Sequence, residues 1–391
     1  MKKKIPGIML LGGIAITAHA QTKIALYGLF DAGISYANHS TLQSAGPSHS
    51  VAKFDDGVSQ GNRWGMQGSE YLGDGLKAIF IIESGISLGN GKPGQGSREF
   101  GRQAFIGLSK KSIGTLTFGR QNSLTKDILL NYTTARQTPA GNYAYHIADV
   151  DQISSSRIDN AIKFLSRNAY GFTFGAMYGF SNQPGEFSGS PASNTRAGSG
   201  RTYNFGTYYA AGPFSAGMTW LDIRFPATSG YPSPTAFANV QPARLSGATI
   251  KDLRTFGIGT NYTIGATTIW ALYTNTRFVP VSGQATRFDA YEAGAKYAFT
   301  QAMTTGLGYI YMNTRGNNTA GHWNQLDGSI DYASSKTTDV YLLMAYQIAS
   351  GHVRGQPLQA LIGSSQTAFF GTSGSNANNQ LALRLGIRHK F

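Results

Sequence analysis

The chain has 391 residues, a formal net charge of +14, 50 glycines and no cysteine; 12% of its residues are aromatic and 13% are charged. That charged share is about half the ~25% of ordinary soluble domains, which argues against a soluble globular enzyme, and without cysteine the fold cannot rest on disulfides. Beyond the first twenty residues the longest strictly apolar run is VYLLMAY, residues 340–346; a spanning helix needs about 20 such residues, so only a closed β-barrel would let this chain cross a membrane.

The N-terminus reads as an export signal. Lys2, Lys3 and Lys4 precede an apolar run over residues 5–16, and Ala18 and Ala20 stand at −3 and −1 of a small-x-small cleavage site. Cleavage after Ala20 makes residues 1–20 a signal peptide and residues 21–391 a single barrel domain, with the charge lowered to +11 by loss of three lysines.

Alternation with period two begins directly afterwards. Over residues 23–36, Ile24, Leu26, Phe30, Ile34 and Tyr36 share one parity with Gly28 and Ala32, while Lys23, Tyr27, Asp31 and Ser35 take the other. GLKAIFIIES sets Leu76, Ala78, Phe80 and Ile82 against Lys77 and Glu83. RIDNAIKFLS sets Arg157, Asp159, Ala161 and Lys163 against Ile158, Ile162 and Phe164; Asn160 interrupts the apolar side, and the pattern offers no account of it. One apolar and one polar face is the mark of a half-buried strand. The same reading predicts sixteen strands, near residues 23–36, 61–71, 74–88, 98–110, 113–122, 156–167, 170–181, 200–211, 213–225, 252–264, 266–278, 286–299, 302–315, 322–334, 337–350 and 379–391.

The connections separate two all-β architectures. Seven short turns (LGD, KSI, AGP, IGA and TQA among them) alternate with eight longer loops rich in Gly, Ser, Asn and Pro. A soluble sandwich or propeller has no reason to keep that order. A transmembrane barrel does, with its apolar parity on lipid, its polar parity on a wet lumen and all its long loops at one end. The expected fold is an all-β, 16-stranded antiparallel transmembrane barrel.

Five stretches in order, LYGLFDAGISY, NRWGMQGSEYLGDGLKAIFIIESG, GRQAFIGLSKKSIGTLTFGRQ, RIDNAIKFLSRNAYGFTFGAMYGFSN and the closing RLGIRHKF, resemble the general porins of Gram-negative outer membranes, in the basic branch of the beta-proteobacteria. The resemblance implies a homotrimer in the outer membrane, in contact with lipid bilayer and lipopolysaccharide. Each subunit would hold a water-filled pore for passive diffusion of small hydrophilic solutes, and the third long loop would fold inward. It also implies that arginines on one wall face acidic groups, and that a terminal aromatic is read by the barrel-assembly machinery, which makes Phe391 the expected assembly signal.

Residues carry over where the motifs match. Arg63, Arg102 and Arg157 match the wall arginines, and each lies on the polar parity of its own strand; Glu83 matches an acidic wall position. Lys77 and Lys163 are lumenal by parity alone. Arg120 shares parity with Leu116 and Phe118 and would need a bulge to reach the pore. In the third long loop, Asp127, Asp149 and Asp151 are the candidates for the acidic side, although the loop lacks the Pro-Glu-Phe-Gly type of turn common in the family. With the mature chain at +11, small anions are the expected preference.

Other function classes find little support. The six histidines after the signal (His39, His49, His146, His322, His352, His389) form no recognisable nucleophile–base motif, so no enzyme is expected. GNGKPG satisfies G-x-G-x-x-G, but Pro93 and Gly96 sit where a helix should start. Basic residues are scattered, about one per strand, so no nucleic acid is expected as a partner. No cofactor and no metal are implied. A substrate-specific channel or an adhesin would carry its specificity in the loops.

Overall fold

The structure, a computed structural model, describes residues 22–42, 46–154, 156–181, 200–224, 250–280, 284–316, 319–353, 355–363 and 369–391. The predicted signal peptide and its cleavage site lie outside the described residues. Lys23–Ser40 forms β1, and the same edge of β1 is followed first by β3 (Arg63–Gly73) and then, further along, by β2 (His49–Asp56). These two segments share one place in the wall. Hairpins follow: β3 with β4 (Leu76–Gly85), β5 (Gln103–Lys110) with β6 (Gly114–Asn122), and β7 (Arg157–Ser166) with β8 (Phe172–Gly179). Next are β9 (Arg201–Ala211) with β10 (Phe214–Arg224), and β11 (Ile250–Ile264) with β12 (Thr267–Pro280). The last hairpins are β13 (Thr286–Ala298) with β14 (Met303–Gly316) and β15 (Thr319–Ala333) with β16 (Thr338–Val353). A two-residue pairing, β17 (Gln356–Pro357), extends β16, and β18 (Asn379–Lys390) pairs with both β16 and β1. The result is a closed antiparallel barrel of sixteen wall positions.

Closure removes the unpaired edge that a chain in lipid cannot leave open. The register runs from Ala37↔Ala382 to Leu29↔Lys390, and Gly28 and Phe391 then exchange backbone hydrogen bonds of 3.0 and 3.2 Å. The Phe391 ring covers the space where a Gly28 side chain would stand and lies 5.2 Å from the ring of Phe30. Glycine at 28 is what lets the terminal ring lie down on the first strand.

Facing follows the parity. Ile24, Leu26, Ile34, Ile106, Leu383, Leu385 and Ile387 are exposed on the outside, whereas Asp31, Ser35, Gln121, Asn204 and Gln380 are enclosed. Aromatic contacts such as Phe172–Tyr209 at 4.6 Å and Tyr297–Phe299 at 4.9 Å band the outer surface near the short turns, where amphipathic rings suit a membrane interface.

Two local departures from the predicted pattern have clear causes. Residues 37–60 were expected to be loop, yet β1 runs on to Ser40 and pairs with β2 beyond the predicted strand. The pairing of β6 with β7 shifts between Gly119 and Gln121, so Asp159 and Asn160 together oppose Arg120. Asn160 takes up the extra residue at φ 50°, a conformation that asparagine tolerates better than most residues. This bulge explains the polar interruption in RIDNAIKFLS and turns Arg120 inward.

Candidate functional site

The lumen is divided by the third long loop, residues 123–156, hereafter L3. Ser123 caps a short helix, α2 (Leu124–Leu129), by accepting from the Lys126 backbone N–H at 3.1 Å. Leu124, Ile128, Leu129 and Tyr132 point to the wall, where they meet glycines rather than side chains: Leu124 covers Gly175, Ile128 covers Gly206 and Gly217, Leu129 covers Gly257, and Tyr132 covers Gly259. A Cβ at any of these positions would collide with the loop, so the glycines of β8–β11 form a trough for L3. The small residues of YGFTFGAMYGF therefore serve the lumen: Gly175 and Gly179 face Leu124 and Ile158.

Polar tethers fix the rest of the loop. Thr125 N–H donates to Asn204 Oδ1 at 3.1 Å, and Trp270 Nε1 donates to Thr134 Oγ1 at 3.3 Å. Glu292 accepts from the Thr134 backbone N–H and, at 3.0 Å, from His146 Nε2. Tyr143, at the far end of L3, donates to Ser35 Oγ and Asp55 Oδ2 at 2.8 and 3.0 Å, and Gln325 donates to its carbonyl at 2.7 Å. Apolar seating plus distributed hydrogen bonds hold L3 on one side and leave the passage against β3–β7.

That facing wall carries the predicted arginines. Arg63 begins β3, Arg102 directly precedes β5 and Arg157 begins β7. Glu83 on β4 accepts from Arg102 Nε at 2.6 Å and from the Tyr27 hydroxyl at 3.0 Å, so its charge is held by the wall. Arg102 lies within electrostatic range of both Arg63 and Arg157. The bulge adds Arg120, which pairs with Asp159; Arg98, from the preceding long loop, reaches the same carboxylate at 3.0 Å. Arg98 and Arg120 thus share Asp159, Arg102 takes Glu83, and Arg63 and Arg157 lie within electrostatic range of Glu83. Parity missed Arg120, and only the asparagine in the facing strand hinted at its turn inward.

The expected acidic side of L3 takes another form. Asp149 and Asp151 are 2% and 1% exposed, buried instead of open to the passage. Asp151 pairs with His146 Nδ1 and accepts from Thr274 at 2.8 Å, while Asp149 accepts from the Ser154 N–H at 2.9 Å. Asp151 thus satisfies groups within the folded loop and behind it, and Asp149 lies within electrostatic range of Lys126. Asp127 does reach the passage, but Lys163 Nζ lies 2.8 Å away and also donates to the Asn122 carbonyl at 3.1 Å. Lys77 is exposed on β4, close to the short turn after β3. L3 instead turns cations inward. Arg136 is exposed on it, and Lys126 sits near Arg157 and Arg102, its ammonium pushed well below the usual range by burial and by those two arginines.

Comparison with known proteins agrees with this architecture. The profile of the family described as Gram-negative porin matches residues 8–352. An outer membrane porin protein of Bordetella pertussis is 34% identical over 230 residues, covering 56% of this chain and 59% of the relative. The major outer membrane protein P.IB of Neisseria meningitidis is 35% identical over 127 residues, 32% of this chain and 36% of the relative. The chain therefore spans less than two thirds of the length of these two relatives. Outer membrane porin protein 32 of Delftia acidovorans aligns over 100% of both chains at 24% identity. Among solved structures, an anion-selective porin from Comamonas acidovorans shares the fold with a TM-score of 0.73 and 19% identity, covering 95% of this chain and 100% of its own.

Proposed function

Because the chain belongs to the Gram-negative porin family, we propose that it forms a water-filled channel through which small hydrophilic solutes and ions cross the outer membrane passively, with a preference for anions. The carrying observation is the wall beside L3, where Arg63, Arg98, Arg102, Arg120 and Arg157 gather and where Glu83 and Asp159 are already ion-paired by Arg102, Arg98 and Arg120. Two unit charges about 4 Å apart interact by ~4 kcal/mol at an effective dielectric of ~20. A surplus of positive charge at the narrowing therefore favours anions there and disfavours cations. Polar side chains on the lumenal parity keep water in the barrel, and passage needs no cofactor and no conformational cycle. Family and fold point to a channel rather than an enzyme.

The solved neighbour described as anion-selective supports the same sign. An outer membrane protein of Vibrio cholerae with the same fold (TM-score 0.62) is described in a trimer form, which supports a homotrimer here. The apolar outer face would then contact lipid and neighbouring subunits, and Phe391, lying on the seam, would be read by the barrel-assembly machinery. The test is the zero-current potential of the purified protein in a planar bilayer across a potassium chloride gradient. An anion-selective sign supports the reading, and a cation-selective sign overturns it.

A further inference from the structure

A cavity of about 900 Å³ lies between L3 and the short-turn end of the barrel. Its charged lining comprises Arg136, Lys296, Arg388 and Lys390 together with Asp127 and Asp331. Most of these charges are matched. Asp127 is held by Lys163 at 2.8 Å, and Arg388 lies 3.0 Å from Asp339 and 3.6 Å from Asp331. Lys390 lies within electrostatic range of that same Asp331.

Arg136 and Lys296 differ from the rest. Neither makes an ion pair within 4.0 Å among the described residues, and the charge that Lys296 feels is Arg136 itself. Lys296 Nζ donates to Gln137 Oε1 at 2.8 Å, which holds it beside the turn that carries Arg136. That turn, α3 (Thr134–Gln137), is capped by Thr133, whose hydroxyl accepts from the Arg136 N–H at 3.2 Å, and it is tied to Glu292 through Thr134. Arg136 also lies within electrostatic range of Arg63 on the facing wall. Two like charges held together without a counter-ion repel, and a bound anion relieves the repulsion. Guanidinium and ammonium groups both bind carboxylate and oxyanion oxygens through charge-assisted hydrogen bonds. A dianion engages both cations at once, a monoanion only one.

We propose that Arg136 and Lys296 form an anion-binding station on the short-turn side of L3, beyond the wall arginines, that selects small dianions, either dicarboxylates or tetrahedral oxyanions. The inference rests on the anion-preferring channel reading and gives it a second, L3-borne site.

The test is block of chloride current through the full-length channel in planar bilayers at low salt, where screening is weakest. Succinate and inorganic sulfate are titrated in separate arms, with acetate as the monoanion control. Both dianions, or one of them, reduce wild-type current at concentrations where acetate does not; which arm responds names the ligand geometry. Arg136→Gln and Lys296→Gln each raise the half-blocking concentration about fivefold or more, as expected for loss of one charged hydrogen bond, and Arg136→Lys restores most of the block. Failure of every dianion to block more than acetate, or block unchanged in the double variant, overturns the station. The wild-type zero-current potential separates the two readings: anion preference with unchanged block rejects the station alone, and cation preference rejects the underlying reading.

Discussion

His146 donates through Nε2 to Glu292 at 3.0 Å while its Nδ1 faces Asp151, so one buried imidazolium ties L3 to β13. Burial alone favours the neutral ring, but Asp151 and Glu292 outweigh it and raise the group to about 10. Asp327 on β15 is a third carboxylate within electrostatic reach of His146. A raised folded value means that the tether is fully present below the ring's ordinary value of ~6.5 and is lost as pH rises through about 10. Single-channel current is therefore expected to stay quiet between about pH 5 and 8 and to become noisy above about pH 10. His146→Gln should bring the noise at neutral pH. Identical noise in variant and wild type at every pH would rule out the tether.

Arg384 is enclosed on β18, where it pairs with Asp55 and, at 2.9 Å, with Asp31, and donates to the Tyr341 hydroxyl at 2.9 Å. The cluster ties the closing seam to Tyr143 of L3, because Ser35 and Asp55 accept from that tyrosine. Arg384→Met strands two carboxylates, at a cost of about 3–5 kcal/mol. The temperature at which the folded barrel converts to unfolded chain on a gel should fall markedly; an unchanged conversion temperature would contradict this.

Gly217 faces Ile128 and Tyr132 across the trough. Gly217→Val drives its side chain into that contact, with an overpacking cost of about 1–3 kcal/mol. Since the barrel is hydrogen-bonded all round and L3 is not, the loop should yield first and shift into the passage. Conductance should drop while heat-modifiable oligomer stays near wild type.

Arg102→Ala removes one wall cation and leaves Glu83 with the Tyr27 hydroxyl but without its ion-pair partner. The anion-to-cation permeability ratio should fall, and conductance should rise slightly because a large side chain is gone. Unaltered selectivity would show that Arg102 is only a wall brace.

Deleting Phe391 loses both backbone hydrogen bonds to Gly28 and the ring contact with Phe30. The amount of folded oligomer in the outer membrane should fall before any change in the conductance of the channels that do assemble. Quantitative blotting of unheated samples reads the first effect, and single-channel recording the second.

Strand identity was legible because a strand's facing is a local property: successive side chains alternate, and one wrong step would put a charge on lipid. Thus Arg63, Arg157, Glu83 and Lys163 could be assigned to the lumenal side of the wall from parity. Arg120 could not, because a bulge depends on which two residues a partner strand presents, and here those are Asp159 and Asn160. The helix in L3 had a faint signature, the i, i+4 pair Leu124 and Ile128 after the cap Ser123, but its glycine trough is spread over Gly175, Gly206, Gly217, Gly257 and Gly259.

The amino-acid sequence by itself determined a sixteen-strand wall, its inside and outside, its alternating connections and the basic character of its lumen. Each follows from a period of two and from where glycine- and serine-rich loops interrupt it. Tertiary structure alone decided which carboxylates face the passage. Asp149 and Asp151 are buried instead of open to it: Asp151 meets His146 and, 123 residues away, Thr274, and Asp149 accepts from the Ser154 N–H. Whether a charge stands free or paired is set by contacts that the strand period does not encode, whether the partner is five residues away, as His146 is from Asp151, or 123, as Thr274 is.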